Sequence, residues 1–548
     1  MSTTIKEVYI QNFKKFETFS LQLNPTLNIL VGNNEAGKST ILEAINLTLT
    51  GMLNGKFLRN ELSQYIFNTK VVKKWLAEVE RGLHSALPEI IIELYFDSDE
   101  FPILKGNGNQ KHENQTGVGI KIAFDEKYQS EYEALLTRGN VKTLPIEYYD
   151  IYCYSFARAA VTPKNIPIKP ALIDSSSTRF QNGSDVYISK IVKDLLENDE
   201  QVSLIQAYRK ARESFAGDEA ITAINAKIQA DSKISDRKVK IDIDLPARNA
   251  WEFALMTYLN DIPFHFIGKG EQSIVKTKLA LSHKKTQEAN ILLLEEPENH
   301  LSHTNLNTLI QDIVKNNEES DNKKQIIITT HSSFVANKLG LDFITVLNAE
   351  RHFRLNDLSA DTKTLFSKLA GYDTLRLILC KKAILVEGGS DELMVQRAYM
   401  DTHDNRLPIE DGIDVISVGT SFLRFLEIAE KIEQPVSVMT DNDGDVEALS
   451  RKYANYLGDN QKDNIKICFD TNVAPALSDG AQFNNNTLEP TLFRANGREV
   501  LNRIFGTSYD NDTALLKYMH NNKTDCALRI FQSDERISYP EYIKSTFA

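Results

Sequence analysis

Strict alternation, continuous apolar runs and three-to-four-residue spacing succeed one another along this chain, and each predicts a different element. TIKEVYIQNF alternates and predicts a strand near the start. LNILVG (27–32) is apolar almost throughout and predicts a strand buried on both faces. ILEAINLTL, directly after GNNEAGKST, has helical periodicity. Further strands are expected at 89–96, 146–155, 291–296, 325–331 and 342–348. The stretch 163–185, PKNIPIKPALIDSSSTRFQNGSD, is rich in turn residues and is expected to be irregular. Residues 186–230 carry apolar positions at helical spacing. A second α/β pattern begins near 381: KKAILVEGGSDELMVQRAYM reads strand, turn, helix, and GIDVISVG and PVSVMTDNDGD add strands.

Composition narrows the class. At about 150 residues per domain, 548 residues suggest three to four domains. The 42% hydrophobic and 25% charged residues exclude disordered and collagen-like chains. A net charge of −12 argues against a surface coated with basic residues for non-specific nucleic-acid binding. The excess is localised, because residues 381–548 hold 18 Lys and Arg against 27 Asp and Glu. Cys153, Cys380, Cys468 and Cys526 stand alone, with no CxxC pair, so free thiols in a reducing compartment are expected. The opening MSTTIKEVYIQNFKKFE lacks the apolar core of a secretory signal, and no run approaches a membrane span. A cytoplasmic protein without membrane contact is the expectation.

Gly32-Asn33-Asn34-Glu-Ala-Gly37-Lys38-Ser39-Thr40 matches G-x-x-x-x-G-K-[ST] between a buried strand and a helix. Glycines let the loop wrap phosphates with inward amides, and the helix N-terminus adds partial positive charge. Lys38 is expected at the β/γ-phosphates of ATP and Ser39 on Mg²⁺. Two later strands suit the same chemistry. ILLLEE ends in Glu295, expected near the Mg²⁺, and Glu296, expected to orient the attacking water. IIITTH ends in His331, a candidate γ-phosphate sensor.

Acids also end two strands of the C-terminal region. Val386 is followed by Glu387-Gly-Gly-Ser-Asp391, and VSVMT by Asp441-Asn-Asp443. Carboxylates at the carboxyl ends of parallel strands converge where α/β sheets bind ligands. Together they are expected to hold one or two Mg²⁺ or Mn²⁺ ions, and two ions about 4 Å apart serve phosphodiester hydrolysis. A calcium loop is excluded, since it needs Gly at 446 and Glu at 452 where Val446 and Lys452 stand.

The first set of motifs, with Ile10-Gln11-Asn12-Phe13 and the signature-like Gly268-Lys269-Gly270-Glu271-Gln272, resembles ABC-type ATPases of the SMC and DNA-repair kind. That resemblance implies a dimer of heads, and Gln64 stands where such heads carry a Q-loop glutamine. LVEGGSD with MTDND resembles a Toprim domain. The order of the two resembles the OLD (overcoming lysogenization defect) nuclease family. The resemblance implies an α/β fold, with an ABC-type P-loop ATPase head split by a helical insertion and followed by a Rossmann-like Toprim domain. The expected segments are 1–165 (head), 166–245 (insertion, dimerisation), 246–375 (head) and 380–548 (Toprim).

The same resemblance adds Glu489 as a metal-binding acid and Lys523 as a catalytic lysine, although Thr524 replaces the family's glycine. It implies a DNA endonuclease or nickase controlled by ATP, a homodimer or larger homo-oligomer, and a role in phage defence. The partner would be a helicase, or a reverse transcriptase with its DNA–RNA product. The competing expectation is a non-nucleolytic SMC-like repair ATPase that uses Toprim to bind DNA.

Overall fold

The computed structural model describes residues 3–174 apart from 84, 99 and 140; 180–181; 184–185; 196–231; 241; 257–319 apart from 283; 323–331; 341–348; 351–368; 372–475; and 484–548. It divides into two compact units, residues 1–27 with 39–329 and residues 28–38 with 330–548. Strands β1 (Ile5–Phe13), β2 (Phe16–Gln22) and β3 (Leu27–Gly32) are followed by α1 (Lys38–Thr50). All six residues of β3 are buried, as its apolar run predicts.

In the first unit, β4 (Ile90–Phe96), β5 (Gln115–Phe124) and β6 (Tyr149–Ser155) complete an antiparallel sheet in the order β2-β1-β4-β5-β6. The pattern does not announce β5, because Gly117 and Gly119 interrupt it. Both glycines make room for rings. A Cβ at Gly117 would lie 2.2 Å from the Phe156 ring, and one at Gly119 would lie 2.5 Å from Tyr154.

Next come β7 (Pro170–Asp174), α2 (Asn198–Ala216), α3 (Glu219–Asp231) and α4 (Lys269–Ser282). They are followed by β8 (Ile291–Glu295), α5 (His303–Glu319) and β9 (Gln325–Thr330). Strand β8 pairs in parallel with β7 on one side and β9 on the other. The stretch 163–185 is therefore not irregular throughout. Its short apolar run ALID becomes a strand by pairing with residues about 120 positions away, a contact no local pattern reports. Helices α2 and α3 lie in the region expected to be helical, while 186–195 falls outside the described residues. The fully buried Gln325 side chain ties β9 to the start of the chain, donating to Ile5 O (2.8 Å) and Asn24 O (2.7 Å) and accepting from Ile5 N.

In the second unit, β3 pairs in parallel with β10 (Ile344–Asn348), which pairs antiparallel with β11 (Arg351–Arg354). Then follow β12 (Lys382–Val386), α6 (Gly389–Thr402), β13 (Ile413–Ser417) and α7 (Phe422–Ile432). Strand β14 (Val436–Met439), α8 (Val446–Lys452) and β15 (Ile465–Cys468) come next. The unit closes with α9 (Leu488–Phe505), α10 (Asp512–Asn521), α11 (Lys523–Gln532) and α12 (Glu541–Lys544). Strands β13-β12-β14-β15 form a parallel sheet in that order.

Helix α7 buries Phe422, Phe425, Leu426, Ala429 and Ile432, a three-to-four-residue stripe, against its neighbours. Its last carbonyls would be orphaned without partners. Asn348, at the end of β10, donates to Ile432 O at 2.9 Å, and Arg351 pairs with Glu433. All four cysteines are free thiols, and burial pushes Cys380 and Cys526 up to about 12. Among the described residues no helix is long and apolar enough to cross a membrane.

Candidate functional site

The phosphate-binding loop leaves β3 and enters α1. Gly37 has φ of 94°, a conformation that a side chain resists, so glycine permits the turn into the helix. Lys38 is almost wholly buried, and its Nζ donates to Gly32 O (2.8 Å) and Asn33 O (3.0 Å). The ammonium is thus folded across its own loop. Gly37 and Thr40 are buried, Asn33 is half-buried and Asn34 is exposed.

In the first unit, Ser39 donates to Glu295 at the end of β8. Burial pushes the Glu295 carboxyl up, the Ser39 hydrogen bond opposes this, and Asp174, Glu43 and Glu296 push it further. A carboxylate so crowded by acids favours a nearby cation. Glu296 has φ of 40° and its amide donates to Thr329 O at 3.0 Å, so β9 holds the turn that presents it. His331 follows β9 directly and is exposed. The signature-like segment forms the start of α4, where Lys269 is exposed and Gln272 is buried, donating to Phe264 O and Ile267 O. Gln64 accepts from Leu144 N at 3.2 Å.

The second unit gathers the C-terminal acids. Glu387 follows β12 and is exposed, and Asp391 lies in the first turn of α6, where Oδ2 accepts from Gly388 N at 2.9 Å. Asp441 stands two positions beyond β14, and its Oδ2 accepts from Leu488 N at 3.1 Å, at the start of α9. Asp443, at φ of 50°, accepts from Asn484 at 3.1 Å. Glu489 is 5% exposed and pairs with Lys523 at 3.4 Å. The two residues that the resemblance nominated, 34 positions apart, are therefore partners.

These groups share one electrostatic neighbourhood. Burial first, then Glu387 and Glu489, push the Asp391 carboxyl up to about 6, against the opposing Gly388 amide and Lys523. Burial, followed by Asp391 and Glu489, holds Asp441 well above the ordinary carboxylate range, with Leu488 N–H opposing and Asp443 adding. Among the described residues, however, no three His, Cys, Asp or Glu side chains converge closely enough to hold one ion jointly. Asp391, Asp441, Asp443 and Glu489 are instead each drawn to a local donor, which like-charge repulsion favours.

Four residues near these sites were not expected from the sequence. Asp174 lies opposite Glu295 in the β7–β8 pairing. Asp470 stands two positions beyond β15, an acid after a strand like Asp441, and that pattern could have revealed it. Its carbonyl accepts from the buried Asn442, which also bonds Asn472 O. Tyr542, on α12, is 7% exposed and is surrounded electrostatically by Asp441, Asp391, Asp470 and Glu489. Nothing in SYPEYI signals it.

The AAA ATPase domain family matches residues 4–336, and the TOPRIM domain of overcoming lysogenization defect-like proteins matches residues 378–443. The chain is 31% identical over 129 residues to Structural maintenance of chromosomes protein 6 of Saccharomyces cerevisiae, covering 21% of this chain and 11% of that protein. It is 21% identical over 536 residues to Endonuclease GajA of Bacillus cereus, covering 80% of this chain and 76% of that one. The Smc head domain of Pyrococcus furiosus, solved with the C-terminal domain of ScpA, aligns at a TM-score of 0.32 and 13% identity over 66% of this chain and 98% of its own.

Proposed function

The chain belongs to the AAA ATPase domain family and carries an OLD-like TOPRIM domain, and from that premise we propose that it is an ATP-regulated, divalent-metal-dependent DNA endonuclease or nickase acting in phage defence. The observation that supports this most is that burial and the neighbouring acids Glu387, Glu489 and Asp443 raise the Asp391 and Asp441 carboxyls, with the Lys523 ammonium paired to Glu489 beside them.

The donor set is all oxygen, which suits Mg²⁺ or Mn²⁺. Burying repelling carboxylates is unfavourable, and a cation would offset that cost. Asp391 and Asp441, with Glu387, Asp443 and Glu489, would hold it once their side chains turn from their local donors, and it would supply charge neutralisation at a phosphodiester and polarisation of water. The chain's own groups do the rest. Glu489 holds the Lys523 ammonium beside the acids, where it offsets charge developing on phosphoryl oxygens. Burial and the neighbouring acids raise the Asp391 carboxyl, so a cation held there would compete with its proton at low pH.

In the head, Lys38 exchanges its two carbonyl partners for the β/γ-phosphates. The amides from Gly32 to Thr40 cradle those phosphates. Ser39 and Glu295 serve the nucleotide's Mg²⁺, Glu296 orients water and His331 senses the γ-phosphate. Nucleotide binding shifts the population of states of the nuclease, which needs only a difference in affinity between them. Heads dimerise, the 166–245 segment adds contacts, and a helicase or a reverse transcriptase with its DNA–RNA product supplies the trigger.

The test is incubation of supercoiled and linear DNA with Mg²⁺ or Mn²⁺, with and without ATP, beside Asp441→Ala and Lys38→Ala. Wild type nicks or cuts, Asp441→Ala does not, and Lys38→Ala loses the response to ATP. DNA that is bound but left intact in every arm replaces this reading with the repair-ATPase one. Cleavage that survives Asp441→Ala moves the active site elsewhere.

A further inference from the structure

Tyr542, on α12, brings a hydroxyl to the neighbourhood of the acids from outside the strand-end motifs. Its ring belongs to the core cluster that contains Val386, Met439 and Leu488. Val386 directly precedes Glu387, Leu488 directly precedes Glu489, and Met439 stands two positions before Asp441. The ring thus shares a core with residues that neighbour three of the acids in the chain. The side chain is more than nine-tenths buried, and its hydroxyl finds no hydrogen-bond partner among the described residues. An orphaned buried hydroxyl is costly, so its retention beside a cluster of acids points to a partner that arrives with the ligand.

We propose that Tyr542 is a positioning residue of the acidic site, its hydroxyl donating a hydrogen bond to a water or carboxylate oxygen in the shell of a divalent cation bound there. This rests on the metal-dependent reading of the site. The surroundings suit a donor. Burial, then Asp441, Asp391, Asp470 and Glu489, all oppose the phenolate, so the hydroxyl keeps its hydrogen. A phenol has one hydrogen to give, and four acids beside a cation offer acceptor oxygens. Groups that orient metal ligands in this way set affinity by about 10- to 100-fold.

The experiment uses the full chain, with Mn²⁺ as probe. Mn²⁺ binding is followed by electron paramagnetic resonance and calorimetry for wild type, Tyr542→Phe and Asp441→Ala, with urea unfolding of each metal-free protein. Nucleotide is left out, so that binding reports the acidic site. Tyr542→Phe keeps the ring and removes only the hydroxyl. The expected result is Mn²⁺ affinity about tenfold weaker, with metal-free stability equal to or above wild type. A purely structural hydroxyl would move stability down and leave affinity alone. The proposal is overturned if Tyr542→Phe binds Mn²⁺ within about twofold of wild type, or if its metal-free stability falls. If wild type and Asp441→Ala bind Mn²⁺ alike, the metal site itself is absent, a failure distinguishable from one confined to Tyr542.

Discussion

Within residues 32–40, the groups prepared for phosphate are backbone amides, one lysine and one hydroxyl, and the loop already satisfies its own charge through Gly32 O and Asn33 O. Between 387 and 542, the groups proposed to serve a metal come from two strand ends and the starts of three helices, joined by a tyrosine from a fourth. There the charges repel, and Asp391 and Asp441 are pushed up by burial and by neighbouring acids. One region is built from consecutive residues. The other is assembled over long range and held under electrostatic stress that a cation would relieve. A binding loop can therefore be stable before its ligand arrives, while a buried acid cage trades stability for function.

The sharpest way to break the comparison is to remove the centre of each region. Asp441→Ala should lower DNA cleavage at least about a thousandfold, since losing several kcal/mol of charge stabilisation has that effect. A plasmid-nicking time course reads it, and residual cleavage above about one part in a hundred would deny Asp441 a central place. Lys38→Ala should weaken ATP binding about a hundredfold, as expected from losing charge-assisted bonds to phosphate. Fluorescent-nucleotide titration measures this, and an unchanged affinity would remove Lys38 from the phosphate site.

The stress itself can be measured through pH. The Asp391 carboxyl titrates near 3.8 when unfolded and near 6 when folded. Its folded pKa is raised, so its share of stability is intact below 3.8, declines as pH rises towards 6, and is fully lost above it. Asp391→Asn should therefore stabilise the metal-free protein by on the order of 2 kcal/mol at pH 7.5, a figure reduced for partial exposure. The gain should shrink steadily towards pH 4. Urea midpoints across that range decide the matter, and a pH-independent gain would mean that packing, not charge, is responsible.

The smallest expected effect lies at the seat of α7. Asn348→Ala removes one bond to Ile432 O and should cost about 1 kcal/mol. Thermal unfolding would register it as a small downward shift, and no shift would show that the carbonyl is satisfied otherwise.

The legibility of the two regions differs for the same reasons. LNILVG, the glycine loop and α1 are consecutive, so their pattern is the structure. ILLLEE and QIIITT likewise became β8 and β9. Glu387, Asp391, Asp441 and Asp443 could be picked out because each lies within a few residues of a recognisable strand. Strand β5 was hidden by glycines that admit Phe156 and Tyr154, and β7 by turn residues around a three-residue apolar run.

The sequence alone determined the phosphate loop, the two α/β patterns and the placing of acids at strand ends. These depend on spacings of a few residues, over which backbone geometry is nearly fixed. Only the tertiary structure decided that Glu489 pairs with Lys523, that Asp441 caps α9, and that Asp470 and Tyr542 share the neighbourhood of Asp391. Those relations join residues up to about 150 positions apart. They arise from how helices pack on a parallel sheet, and the stress on each carboxyl is a property of that packing and of its burial, which no single segment encodes.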